Sequence, residues 1–101
     1  MEKLKEMLAC DPGDPFLLHA LALENIKEGN EAEAERLFLD ILTKNPAYVG
    51  SYYHLGRLLE RTGRPAEAAG WYEKGMAAAK KEGDRHAWNE LQTAFDDISD
   101  T

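Results

Sequence analysis

Residues 48–76 read Y-V-G-S-Y-Y-H-L-G-R-L-L-E-R-T-G-R-P-A-E-A-A-G-W-Y-E-K-G-M. Two helical patterns lie in this stretch, one on each side of Thr62-Gly63-Arg64. Tyr52, Leu55, Gly56 and Leu59 recur at the three- and four-residue spacing of one helix face, and Ala68, Ala69, Tyr72 and Met76 do the same after the break. Gly63 tolerates the left-handed conformation that ends a first helix. Pro65 fits the first turn of a second, where a missing N–H costs nothing. Gly56 is small where a neighbouring helix must come close. Ala68 is small at the crossing, and Tyr72 fills the space beside it. The stretch therefore predicts a helix over 48–61, a tight turn, and a second helix from Pro65.

Outward from this centre the chain continues in the same style. Leu4, Met7 and Leu8 mark a short amphipathic helix in residues 1–9, too short to stand alone. Asp11-Pro12-Gly13 stops it, and Asp14 with Pro15 can start the next. A second helix is expected over 15–27, with Leu18, Leu21, Ala22 and Asn25 on one stripe, and Gly29-Asn30 as its stop. A third is expected over 31–44, burying Ala34, Leu37, Phe38, Ile41 and Leu42. The fifth helix should run on through the good helix formers of 77–81 to Gly83. A sixth should follow Asp84, with Ala87, Trp88, Leu91, Ala94, Phe95 and Ile98 on one face. No segment alternates with period two long enough to predict a strand.

The two halves register when the sequence is shifted by 34: Leu21 falls on Leu55, Ala22 on Gly56, Gly29 on Gly63, Ala34 on Ala68, Phe38 on Tyr72 and Pro12 on Pro46. This resembles the tetratricopeptide repeat (TPR) family, whose unit is a helix–turn–helix of about 34 residues. Leu18 and Tyr52 stand where the family often has Trp, Leu21-Ala22 and Leu55-Gly56 at its Leu-Gly/Ala pair, and Ala34 and Ala68 at its central Ala. Asn25, Ile41, Gly75 and Lys80 depart from the pattern, Lys80 replacing the closing Pro. The resemblance implies an all-α fold, a right-handed α-α superhelix or TPR solenoid of about six antiparallel helices. It frames residues 1–101 as a single domain: a half-repeat helix at 1–12, repeats at 15–48 and 49–82, and a capping helix at 84–98. Each pair exposes an apolar face that only a neighbour can cover, so the flanking helices are structural.

Composition narrows the function. Of the 101 residues 44 % are hydrophobic, enough for a core, and the formal net charge is −7. That balance argues against nucleic acid, which needs a basic face, and against an anionic membrane surface. No apolar run approaches the ~20 residues of a membrane span, and residues 1–9 lack a signal-peptide core. A cytoplasmic location is the default expectation. Cys10 cannot form an intrachain disulfide and is expected to be a small, partly buried residue. The serines lie in no G-x-S-x-G turn, no phosphate loop carries a G-K-[ST], and there is no H-E-x-x-H or paired Cys. No enzymatic activity, metal or cofactor is therefore expected. His19, His54 and His86 could share a metal only if three helices converged, so ordinary histidines are expected.

In the family, the first helix of each repeat lines a concave groove that takes up an extended peptide or a helix. On this register the groove positions are Phe16, His19, Leu23, Ile26 and Lys27 in the first repeat. In the second they are Tyr53, His54, Arg57, Glu60 and Arg61. All lie off the core stripe, so periodicity independently turns them outward, and an apolar strip rimmed by His, Arg and Lys reads as an interaction surface. The Lys/Asn clamp by which one family subtype holds chaperone carboxylates is not met, since His19, Leu23 and His54 stand there. The expectation is a non-enzymatic protein–protein interaction module. The alternative is a self-associating, homodimeric structural protein, paired through its terminal helices or through Trp71 on the Ala-rich fifth helix.

Overall fold

The computed structural model describes residues 2–99. They form six α-helices in chain order: α1 (Glu2–Cys10), α2 (Pro15–Lys27), α3 (Glu31–Lys44), α4 (Gly50–Arg61), α5 (Pro65–Glu82) and α6 (Arg85–Ser99). Among the described residues there is no strand. They divide into two compact units, the first ending at Asn45 and the second beginning at Pro46.

The helix ends follow from local chemistry. The Asp14 carboxylate accepts from the backbone N–H groups of Phe16 at 2.8 Å and Leu17 at 3.3 Å, and Pro15 follows it, so α2 starts fully capped. Three helices end by one device. Gly29, Gly63 and Gly83 take φ of 83°, 81° and 73°, and the next residue's N–H reaches back five residues to a carbonyl. These bonds are Asn30 to Asn25 at 2.7 Å, Arg64 to Leu59 at 2.8 Å and Asp84 to Ala79 at 2.8 Å. The Asp84 side chain then accepts from the Ala87 N–H at 3.0 Å, so it closes α5 with its backbone and caps α6 with its carboxylate. Helix α4 begins at Gly50 rather than Tyr48, because three-residue backbone bonds from Ser51 to Tyr48 and Tyr52 to Val49 make a turn there first. The Tyr52 hydroxyl pins that turn by donating to the Pro46 carbonyl at 2.7 Å.

In the first unit α1 packs on α2, and α2 packs along α3. Ala22, Ala34, Leu37, Phe38, Ile41 and Leu42 are buried. Asn25 is buried too, and its amide donates to the Leu21 carbonyl one turn back at 2.9 Å, so this polar departure from the repeat pattern is satisfied within its own helix. Leu18 and Leu21 of the expected stripe are half-buried, as are Leu4 and Leu8 of α1. Cys10, expected to be partly buried, is exposed: it is the last residue of α1, beyond the stripe that meets α2.

In the second unit α5 lies between α4 and α6 and packs against both, and α4 also touches α6. Two glycines set how close these helices come. A Cβ on Gly56 would lie 2.2 Å from the Tyr72 ring, and a Cβ on Gly75 would lie 2.6 Å from the Tyr52 Cβ and 2.9 Å from a Leu91 methyl. Gly75 thus marks the point where α4, α5 and α6 meet, which accounts for its departure from the family's alanine. Lys80 accounts for another: it lies inside the 18-residue α5, where a proline would break the helix. Trp71 is half-buried, with the Tyr52 ring 6.1 Å away and the Lys74 ammonium 4.4 Å from its centroid, so much of that aromatic surface is covered within the chain.

Candidate functional site: the outward faces of α2, α4 and α6

On α4, Tyr53, Arg57 and Glu60 follow one another at four- and three-residue spacing and share one face. Arg57 lies 6.0 Å over the Tyr53 ring and pairs with Glu60 at 3.6 Å. Glu60 also accepts a short hydrogen bond from the Tyr72 hydroxyl. Burial, and after it this bond to a carboxylate, push the Tyr72 phenol well above its ordinary value, so the hydroxyl stays a donor. Tyr72 therefore fixes Glu60, and Glu60 fixes Arg57. Tyr53 stands 6.5 Å from the Tyr72 ring and edge-on to His54 at 5.6 Å. Arg61 is exposed at the end of the helix.

Helix α6 supplies the opposite wall. Glu90, Thr93, Ala94 and Asp97 recur at three-, four- and seven-residue spacing on it. With Tyr53 and Arg57 they line a cavity of about 270 Å³. His54 is half-buried beside this wall. Burial pulls its imidazole below the usual histidine value, and the nearby Glu90 carboxylate opposes that pull only in part. A second cavity, of about 390 Å³, lies at the α5–α6 turn between Lys80, Arg85, Trp88 and Asn89.

The first unit presents its own face. Phe16 is 67 % exposed and Leu23 37 %, large values for apolar side chains. Lys27 is exposed and Ile26 half-buried. His19 turns toward the interior, its ring meeting Phe38 edge-on at 5.5 Å.

The ten residues expected from the sequence thus fall into two sets, five on α2 and five on α4. On α4 the structure brings Tyr53, His54, Arg57 and Glu60 into contact with one another. Sequence reasoning missed the α6 wall, having treated that helix as a cap. The signal was present: Glu90, Thr93 and Asp97 form a polar stripe beside the apolar stripe of Leu91, Ala94 and Ile98. Among the described residues, no group of three or more His, Cys, Asp and Glu could hold a metal ion, and no helix is long and apolar enough to cross a membrane.

No protein-family model matches the chain, and no curated protein does. Solved structures do. A tetratricopeptide repeat domain protein from Salinibacter ruber is 41 % identical in its crystal structure, with a TM-score of 0.82 over 85 % of this chain and 96 % of that one. Its solution structure gives 0.83 over 86 % and 88 %. A protein from Bordetella parapertussis, solved in solution, is 28 % identical with a TM-score of 0.82, covering 97 % of this chain and 85 % of its own. The identity to the first of these, over nearly its whole length, together with the two in-phase repeats, places the chain: it belongs to the tetratricopeptide repeat family.

Proposed function

We propose that the chain is a non-catalytic protein–protein interaction module that binds a peptide or helix of a partner protein on the outward faces of its first helices. Membership of a family of interaction scaffolds supports a protein partner. The observation that carries the finer reading is the cleft between α4 and α6, with Tyr53 and Arg57 on one wall and a polar stripe on the other. Its volume of about 270 Å³ falls just short of the roughly 300–1,000 Å³ of small-molecule pockets, and it suits one or two side chains of a peptide better than a metabolite. In the first unit, taken by itself, Phe16 and Leu23 leave apolar surface exposed on α2. The deficit of basic residues speaks against nucleic acid.

Affinity capture from the source lysate tests this, comparing wild type with a Tyr53→Ala/Arg57→Glu variant whose fold is verified by thermal melting. A partner retained by wild type and lost by the variant is the expected result. Identical captures from both would remove the α4 face from consideration. Phe16→Ser, an exposed position, asks the same question of α2.

A further inference from the structure

We infer that the α4–α6 cleft selects peptides carrying lysine or arginine, seating basic side chains against Glu90 and Asp97 on the wall opposite Tyr53. This rests on the reading of the cleft as a peptide site. Its charges are unequal. Arg57 is already matched by Glu60 at 3.6 Å. That leaves the two α6 carboxylates to face a ligand. His54, half-buried next to Glu90, is held toward its neutral form and does little to cancel them. Asp97 also lies in the last turn of α6, where the unpaired carbonyls carry the negative end of the helix dipole and favour a cation. An acidic peptide would meet like charge on the α6 wall, whereas a basic one finds opposite charge there. The chain's net charge of −7 steers basic segments toward it at longer range.

The spacing adds detail. Glu90 and Asp97 are two turns apart, about 10 Å along the helix at 1.5 Å per residue. Residues three apart in a polyproline II segment, which completes one turn in three residues at about 3.1 Å each, span nearly the same distance and point to the same side. The cleft therefore favours two basic residues with two others between them.

Selection of random peptides displayed on phage, run on the whole chain and on a Glu90→Gln/Asp97→Asn variant, decides the matter. Both substituted side chains are exposed, so the variant should keep the fold, and a thermal melt checks this. The expected outcome is enrichment of lysine and arginine over the input library with wild type, and loss of that enrichment with the variant. Synthetic copies of the selected peptides should bind the variant several-fold more weakly and should weaken with added salt. Enrichment of acidic or uncharged peptides, or a basic preference that survives in the variant, overturns the inference and leaves peptide binding standing. A wild type that enriches no peptide at all removes both.

Discussion

Gly56 and Gly70 both lie inside helices, yet the space around them is opposite. A Cβ at Gly56 would enter the Tyr72 ring, which is fully buried and tethered by its hydroxyl to Glu60. Gly70 is exposed on α5, and nothing lies within 4 Å of the added atom. Alanine at Gly70 should therefore stabilise the chain by about 0.5–1 kcal/mol through backbone entropy alone. At Gly56 the same gain is set against overpacking of about 1–3 kcal/mol, and Gly56→Ala should be destabilising overall. Denaturant titration checks the pair: the midpoint should rise for Gly70→Ala and fall for Gly56→Ala, with the slope unchanged. Gly56 was legible in the sequence, because the repeat register demands a small residue there. Gly75 was not. Its reason is the simultaneous approach of Tyr52 and Leu91 from two other helices, and no local pattern announces a three-way meeting.

At the scale of elements, most helix boundaries could be read in advance because their causes are local. A capping carboxylate, a proline in the first turn and a glycine able to take positive φ act within a few residues, so Asp14, Pro15, Gly29, Gly63, Pro65 and Gly83 announced their roles. The start of α4 misled, since the preceding turn is held by Tyr52 reaching back to Pro46. Asp84 offers a test at this scale. Its carboxylate caps α6 through the Ala87 N–H, and α6 carries one wall of the cleft. Asp84→Ala should cost about 0.5–2 kcal/mol. In a chain of this size that is a fall in Tm of several degrees, at about 4–8 °C per kcal/mol. Hydrogen exchange should show the loss first as faster exchange in the opening turn of α6, while α2, capped by its own Asp14, stays protected. Equal acceleration in both helices would mean that the Asp84 cap is not the seat of the effect.

At the scale of the whole molecule, His54 links folding to pH. Its imidazole is held below the usual value of 6.5 by burial, with Glu90 pulling the other way. In the unfolded chain it takes up a proton near that usual value, whereas in the folded chain it does so only at lower pH. Between the two the unfolded state binds more protons. The histidine's contribution to stability is thus complete above about pH 6.5 and is lost as the pH falls through the window below. Thermal melts across this range should show wild type losing stability on acidification, and His54→Gln losing less of it. Glu90→Gln, which removes the opposing carboxylate, should steepen the loss; a slope unchanged in both variants would dissociate His54 from the effect.

The sequence by itself determined the helix count, the repeat, the glycine closures and the buried faces of α3 and α4, because periodicity and capping are short-range consequences of residue type. On α2 and α4 it also turned Phe16, Leu23, Lys27, Arg57 and Arg61 outward, where they are exposed, but it turned His19 outward as well, and that ring meets Phe38. Tertiary structure alone decided what stands opposite them. Glu90, Thr93 and Asp97 join Tyr53 and Arg57 because α6 packs back against α5 and α4. His19 and His54, near neighbours in the repeat register, differ in what packs on them: the first meets Phe38 of α3, and the second is partly covered beside Glu90 of α6. Burial and charge at a side chain depend on what the rest of the fold brings to it, and that is a long-range property no local pattern of residues encodes.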